Sequence, residues 1–303
     1  MNMLDNVKSK FTIKDLENLS GIKAHTIRIW EQRYKILTPH RTVTNIRYYD
    51  LENLQKLLNV KLLYNNGFKI SKIAALTDDE ISVLIREHVT LNGKEDVALN
   101  AFKLSMIKFD HQLFEQTYNQ LLAHKTVREI FLEYFVPLLS DIGLLWQSNT
   151  ISPAQEHFVS NLIKQKLHSN IERLQVNTPE KTDKVFVLYL PVNEIHELGL
   201  LYLHYEIILR GYHSIYLGQS VPIQSLESLL ERFENIVFVS YFTVRPRLND
   251  LPDYLKEFEE SILSKKMQTE FWILGNKLRE AETLSLPKKS KTFNSIKELC
   301  EKI

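Results

Sequence analysis

The chain of 303 residues has a single cysteine, Cys300, so no internal disulfide can form. That usage points to a reducing compartment, and the cytoplasm is the expected location. No run of eighteen apolar residues occurs, and no basic start leads into an apolar stretch. Neither a membrane span nor a signal peptide is therefore expected. Glycine is scarce, at eight residues, and no Gly-x-Gly-x-x-Gly, Walker loop or Gly-x-Ser-x-Gly is present. These absences, with the lack of a Cys pair, argue against a nicotinamide enzyme, a P-loop NTPase, an α/β-hydrolase and a thiolate zinc site. The rest of the composition is that of an ordinary globular protein, 44% hydrophobic and 25% charged, with a net charge of +1. The charge is unevenly spread. Residues 1–80 hold thirteen Lys/Arg against nine Asp/Glu, and the remainder holds 25 against 28. A mildly basic N-terminal segment on a mildly acidic body suggests contact with nucleic acid.

In that segment Ile13, Leu16 and Leu19 fall at helical spacing behind Thr12 as a cap, and Ser20-Gly21 ends the run. A second helix is predicted over 24–33, with Ile27 and Trp30 on one face. Two short helices joined by a glycine turn form a helix-turn-helix, whose second helix would bring Thr26 and Arg28 to base edges or phosphates. Residues 38–49 then read as two short extended runs around a polar turn, a β-hairpin wing carrying Arg41 and Arg47. A helix from Asp50 to Tyr64 is stopped by Asn66-Gly67, and Ile70–Leu76 is a further short helix. The stretches Thr-Ile-Arg-Ile-Trp-Glu-Gln-Arg-Tyr at 26–34 and Arg47-Tyr48-Tyr49-Asp50 resemble the DNA-binding domain of the MerR family over residues 10–78. The resemblance implies a winged helix-turn-helix head on a double-stranded operator. Arg28, Arg41 and Arg47 are its main contacts, and Tyr48 is a weaker one because the Tyr pair packs the wing.

Residues 81–93 are polar and are expected to form a linker. From 94 to 175 the periodicity is helical throughout, with four helices expected near 95–108, 111–122, 127–146 and 153–173, the third carrying a kink at Pro137. Ser152-Pro153 is a clean helix start. Trp146 precedes Glu156 and His157 by ten and eleven residues, so one interhelix turn would bring them to the same end of a bundle. Taken alone, these residues read first as a core Trp, a helix-dipole Glu and an incidental His.

In the last third, 182–303, strands at 185–190, 213–217, 236–241, 270–274 and near 291–293 alternate with helices. This predicts a doubly wound parallel sheet, Rossmann-like in architecture. After the first strand comes Glu194-Ile-His-Glu-Leu-Gly199. A loop leaving the C-terminal end of a parallel strand is where such sheets bind ligands. A ligating imidazole needs a partner for its second nitrogen, which Glu194 supplies to His196, and Gly199 leaves its backbone open to something broad. The hexamer alone also reads as a loop histidine before a helix start.

The hexamer resembles the Asp/Glu-x-His-x-x-Gly loop of cobalamin-binding domains, which implies that His196 is the lower axial ligand of cobalt. In that family Gly218, Ser240 and Gly275 line the lower face and the nucleotide tail, and Asn276 stands where a second glycine is usual. With the helical bundle in front, Trp-x9-Glu-His resembles the CarH/LitR-type photoreceptor regulators. This implies that Trp146 and Glu156, with His157 beside them, enclose the adenosyl group of adenosylcobalamin. Some of those proteins have a His after the Trp, where Gln147 stands here. The expectation is a multidomain transcription regulator and not an enzyme: a winged helix-turn-helix head, a four-helix-bundle cap and a cobalamin-binding α/β domain. It would sense adenosylcobalamin and light through its state of oligomerisation, as a dimer or tetramer. Two alternatives stay open. In one, the C-terminal domain no longer binds cobalamin and serves oligomerisation or an antagonist protein. The other is a cobalamin carrier with an accessory DNA-binding head.

Overall fold

The structure, a computed structural model, describes residues 10–88, 91–275 and 286–303. The chain divides into two compact units, Met1–Leu162 and Ile163–Ile303.

The first unit opens with α1 (Ile13–Ser20), whose start is set by a capping box: Thr12 accepts from the Asp15 backbone and Asp15 accepts from the Thr12 backbone. Gly21, left-handed at φ 71°, turns the chain into α2 (Ala24–Tyr34). The wing is β1 (His40–Arg41) paired antiparallel with β2 (Arg47–Tyr48), and a bridge from Phe11 to Tyr49 pins it to the start of the chain. Then follow α3 (Leu51–Asn65), α4 (Ile70–Ile73) and α5 (Asp78–His88). The expected linker at 81–93 is corrected here, because α5 occupies most of it. Thr77 donates to Glu80, three acidic residues complement the helix dipole, and Ile81 is buried.

The bundle helices are α6 (Leu91–Lys108), α7 (His111–Leu122), α8 (Val127–Ile130), α9 (Val136–Gln147) and α10 (Pro153–Gln175). The third predicted helix is interrupted by a π-turn over Phe131–Phe135 in place of a simple proline kink, and Pro137 lies in the first turn of α9. The wider turn accommodates the missing N–H of the proline and the bulk of its ring. Phe102, Phe114 and Phe135 form an aromatic centre, with ring centroids 5.0 to 6.0 Å apart.

The second unit holds a five-stranded parallel sheet, ordered β4-β3-β5-β6-β7, built from β3 (Lys181–Tyr189), β4 (Tyr212–Gly218), β5 (Ile236–Tyr241), β6 (Thr269–Leu274) and β7 (Ser290–Phe293). Alternate residues bury on opposite faces. Val185, Val187, Phe238 and Phe271 pack with α12 (Leu251–Phe258). Phe186, Leu188, Val239 and Trp272 pack with α11 (Leu198–Leu209) and α13 (Ile296–Cys300). Both faces being covered explains the unbroken apolar runs in the sequence. The order reverses between β3 and β5, which opens a crevice at their C-terminal ends.

Gly275 follows β6 at φ 144°, and a Cβ there would lie 2.2 Å from the Phe242 carbonyl oxygen. Gly67, at φ 88°, has nothing within 4 Å of its Cβ position. Gly275→Ala is therefore expected to destabilise by more than about 3 kcal/mol and Gly67→Ala by about 1 kcal/mol. The two are compared as urea midpoints at unchanged slope; equal shifts would show that backbone crowding at Gly275 costs nothing.

Candidate functional site

The residues after β3 fold back at once: Glu194 N–H donates to the Pro191 carbonyl, and Asn193 is left-handed at φ 65°. This turn drives the Glu194 side chain inward until it is 0% exposed. One carboxylate oxygen accepts from the backbone of Ile195 at 2.9 Å and of His196 at 3.0 Å, and pairs with His196 Nδ1 at 2.6 Å. The other accepts from the backbone of Val244 at 2.6 Å and of Arg245 at 2.7 Å, in the loop after β5. Burial alone would raise its pKa. The hydrogen bonds from His196, Arg245 and Val244 outweigh it and hold the carboxyl far below the usual range. The His196 side chain is 52% exposed, at the rim of the sheet. With Nδ1 on a buried carboxylate, the imidazole presents Nε2 for a metal, as ligating histidines with such a partner do.

Other residues around the crevice take less expected positions. Glu197, inside the hexamer, is buried and accepts from Tyr216 Oη at 2.7 Å and from Lys164. Ser240 is fully buried and donates to the Tyr189 carbonyl at 2.9 Å, so its hydroxyl serves to join β5 to β3. Gly218 ends β4 in the left-handed region at φ 80°. Gly199 does not leave its backbone open: a Cβ there would lie 2.2 Å from the Tyr241 ring. Asn276 lies outside the described residues.

In the first unit, the wing and the second helix share one carboxylate. Glu31 of α2 accepts from Tyr49 Oη at 2.7 Å and pairs with Arg47 Nε at 3.2 Å. Arg47 is thus engaged in holding the wing to α2. Arg41 donates to Asn45, 2.7 Å to its side chain, at the wing turn. Tyr48 stacks on His40 at 5.3 Å, and Lys10 lies over its ring. Arg28 is exposed, while Thr26 is partly buried and paired with His25 at 3.3 Å. The hub role of Glu31 has no signal in the sequence, since it depends on the wing folding back onto α2.

Residues 11–80 match the MerR HTH family regulatory protein and residues 98–169 match the B12 binding domain. The transcriptional repressor CarH of Myxococcus xanthus is 30% identical over 222 residues, covering 71% of this chain and 73% of the relative. The chain belongs to the CarH family of MerR-type transcription regulators. The repressor CarA of the same organism is 25% identical over 77% of each chain. A monomethylamine corrinoid protein of Methanosarcina barkeri shares the fold, with a TM-score of 0.53 at 11% identity over 69% of this chain and 93% of that one. Among the described residues no helix is long and apolar enough to cross a membrane.

For a CarH-family chain, the bundle residues have recognisable positions. Trp146 lies in the last turn of α9 and is 53% exposed, and Glu156 lies in the first turn of α10. Between them Thr150 is buried and accepts from Asn18 of α1 at 2.8 Å, while Gln155 donates to the Ile107 carbonyl at 3.3 Å. His157 is exposed, its Nδ1 3.7 Å from Glu156. The donor set at the sheet rim fits the cobalt of a cobalamin: one imidazole, with a carboxylate fixing its orientation.

Because Glu194 is depressed in the folded chain, its contribution to stability is complete above the ordinary carboxylate range near pH 4.5. That contribution is lost as pH falls below it. Glu194→Gln places an amide donor against backbone N–H groups and is expected to cost about 2–4 kcal/mol at pH 7. The gap between the variant and the parent should narrow as unfolding is followed from pH 5 downwards; a constant gap would mean that Glu194 is not ionised in the fold.

Proposed function

We propose that this chain is a DNA-binding transcription regulator that holds adenosylcobalamin and responds to light, with the state of the cofactor controlling oligomerisation and operator binding. The observation that carries the reading is the buried Glu194 carboxylate on His196 Nδ1. A carboxylate so placed fixes the tautomer and the direction of the ring, which a metal-binding imidazole requires. His196 would be the protein ligand to cobalt, with Glu194 fixing the direction of its ring. Gly218 and Gly275 shape the rim. Trp146 and Glu156, with His157 beside them, would contact the adenosyl group.

When bound, adenosylcobalamin would supply a light-sensitive cobalt–carbon bond. The residues of the chain do the rest. Trp146 and Glu156 sense whether the upper ligand is in place, and the buried turn between them reports to α1 through Asn18. In the head, Arg28 and Thr26 face the major groove, Arg41 and Tyr48 place the wing on the backbone, and Arg47 holds the wing in register. Two or more heads are needed to read paired half-sites, so a change of oligomeric state changes operator affinity.

The purified full chain is titrated with adenosylcobalamin in the dark. A shifted absorption spectrum is expected, with at least tenfold weaker binding for His196→Ala. Illumination should then change the sedimentation coefficient and the operator shift together. Equal binding by parent and variant would refute the axial-ligand role. In the head, Arg28→Ala is expected to weaken binding to all sequences alike and to lower the slope of log K against log salt by about 1. An unchanged slope would remove Arg28 from the phosphate contacts.

A further inference from the structure

The loop that carries His196 leaves β3, the strand lying between β4 and β5. Two carboxylates flank the imidazole in that loop, and they reach in opposite directions. Glu194 ties the loop to Val244 and Arg245, beyond β5. Glu197 ties it to the other neighbour, since one of its oxygens accepts from Tyr216 Oη of β4 at 2.7 Å. The Tyr216 ring is itself held. It stacks on His204 of α11 with centroids 5.3 Å apart, and His204 Nδ1 pairs with Ser214 Oγ at 2.7 Å. Burial and the neighbouring carboxylate push the Tyr216 pKa well up, so the phenol stays a donor.

The second oxygen of Glu197 pairs with Lys164 of α10. The two partners are unequally placed: Glu197 is buried at 8% exposure, and the Lys164 side chain is 36% exposed. Separated from its partner, a partly exposed ammonium is taken up by water. A buried carboxylate left with one phenol has most of its desolvation uncompensated. The pair therefore constrains the loop more than the helix. Within the loop, the Glu197 N–H donates to the Ile195 carbonyl at 2.9 Å, across His196, and the Glu197 carbonyl accepts from Leu201 at 2.8 Å. A displacement of Glu197 is thus felt by the backbone on both sides of the imidazole. The helix that supplies Lys164 also carries Glu156 in its first turn, eight residues earlier.

Resting on the cobalamin reading above, we propose that Glu197 is a second positioning residue for His196, and that its pairing with Lys164 makes the position of the imidazole depend on α10. The helix that carries Glu156 then also governs the loop that carries the cobalt ligand. Movement at one is passed to the other through the chain itself, with no signal needed through the cofactor.

The test compares Lys164→Met, which keeps the aliphatic stem and removes the charge, with Lys164→Arg, which keeps the pairing. Hydrogen–deuterium exchange of the full chain without cofactor is read at the amides of Ile195 and His196, which donate to Glu194 and report whether the loop stays closed. In Lys164→Met they are expected to exchange about tenfold faster, the scale of a lost hydrogen bond to a charged group, and in Lys164→Arg at the parent's rate. Hydroxocobalamin, which has no adenosyl group, is then titrated in the dark, and about tenfold weaker binding is expected for Lys164→Met alone. Tyr216→Phe removes the other donor to Glu197 and is expected to act in the same direction. A lysine that merely stabilises α10 would leave the loop amides and the titration unchanged, and that result overturns the proposal. Equal losses in Lys164→Met and Lys164→Arg overturn it as well, and so does faster exchange with unchanged hydroxocobalamin affinity. If the parent binds no corrinoid, the cobalamin reading falls, and the exchange rates still decide whether Lys164 holds the loop.

Discussion

The geometry of the second unit depends on one buried carboxylate. An unpaired charge placed away from water is costly enough that the fold must compensate it or neutralise it. Glu194 is compensated by four backbone N–H groups and one imidazole nitrogen, drawn from segments about fifty residues apart. Those amides converge only if the ends of β3 and β5 are neighbours, which in turn needs a sheet covered on both faces. The core thus fixes the strands, the strands fix two loops, and the loops fix the carboxylate that aims His196. Weakening any of these leaves a buried charge without partners, so the direction of the imidazole is coupled to the stability of the whole unit.

The first unit uses a second carboxylate in the same way. Glu31 joins the helix that carries Arg28 to the wing, through Arg47 and Tyr49. Here the compensation is a cation and a phenol. The burial of Tyr49 and its bond to a carboxylate push its pKa well up, so it remains a donor throughout the physiological range. A consequence is that basic residues in a wing need not all face phosphate. Arg41 and Arg47 are partly consumed in setting the shape that Arg28 then presents.

Most of the element order was legible because it rests on local pattern. The run 236–241 is a strand to the residue, and Thr12, Asp50 and Ser152 start helices where capping chemistry predicts. The partner of His196 was legible because it lies two residues away. Its remaining partners were not, since Val244 and Arg245 contribute only peptide N–H groups, which no side-chain pattern announces. Tyr241 and Gly199 are forty-two positions apart and meet only once β3 and β5 are paired. The polar stretch at 81–93 looked like a linker because α5 is mostly exposed; the acidic first turn of α5 behind Thr77 was the overlooked cue.

The bond from Asn18 to Thr150 sets a scale for how the proposed sensor could act. It joins the head to the turn between Trp146 and Glu156, with Ser148 also 2.9 Å from the threonine hydroxyl. A neutral hydrogen bond contributes about 1 kcal/mol net, which is roughly a fivefold change in an equilibrium. Useful allosteric coupling spans about 1–3 kcal/mol. One such bond therefore reaches the lower end of that range and no further. A larger response has to come from counting heads on the operator, where losing a second attachment multiplies the loss by an effective concentration and needs no new contact. The local tie and the proposed oligomeric change would then be complementary: the first would bias which packing of the bundle is held, and the second would convert that bias into occupancy of DNA.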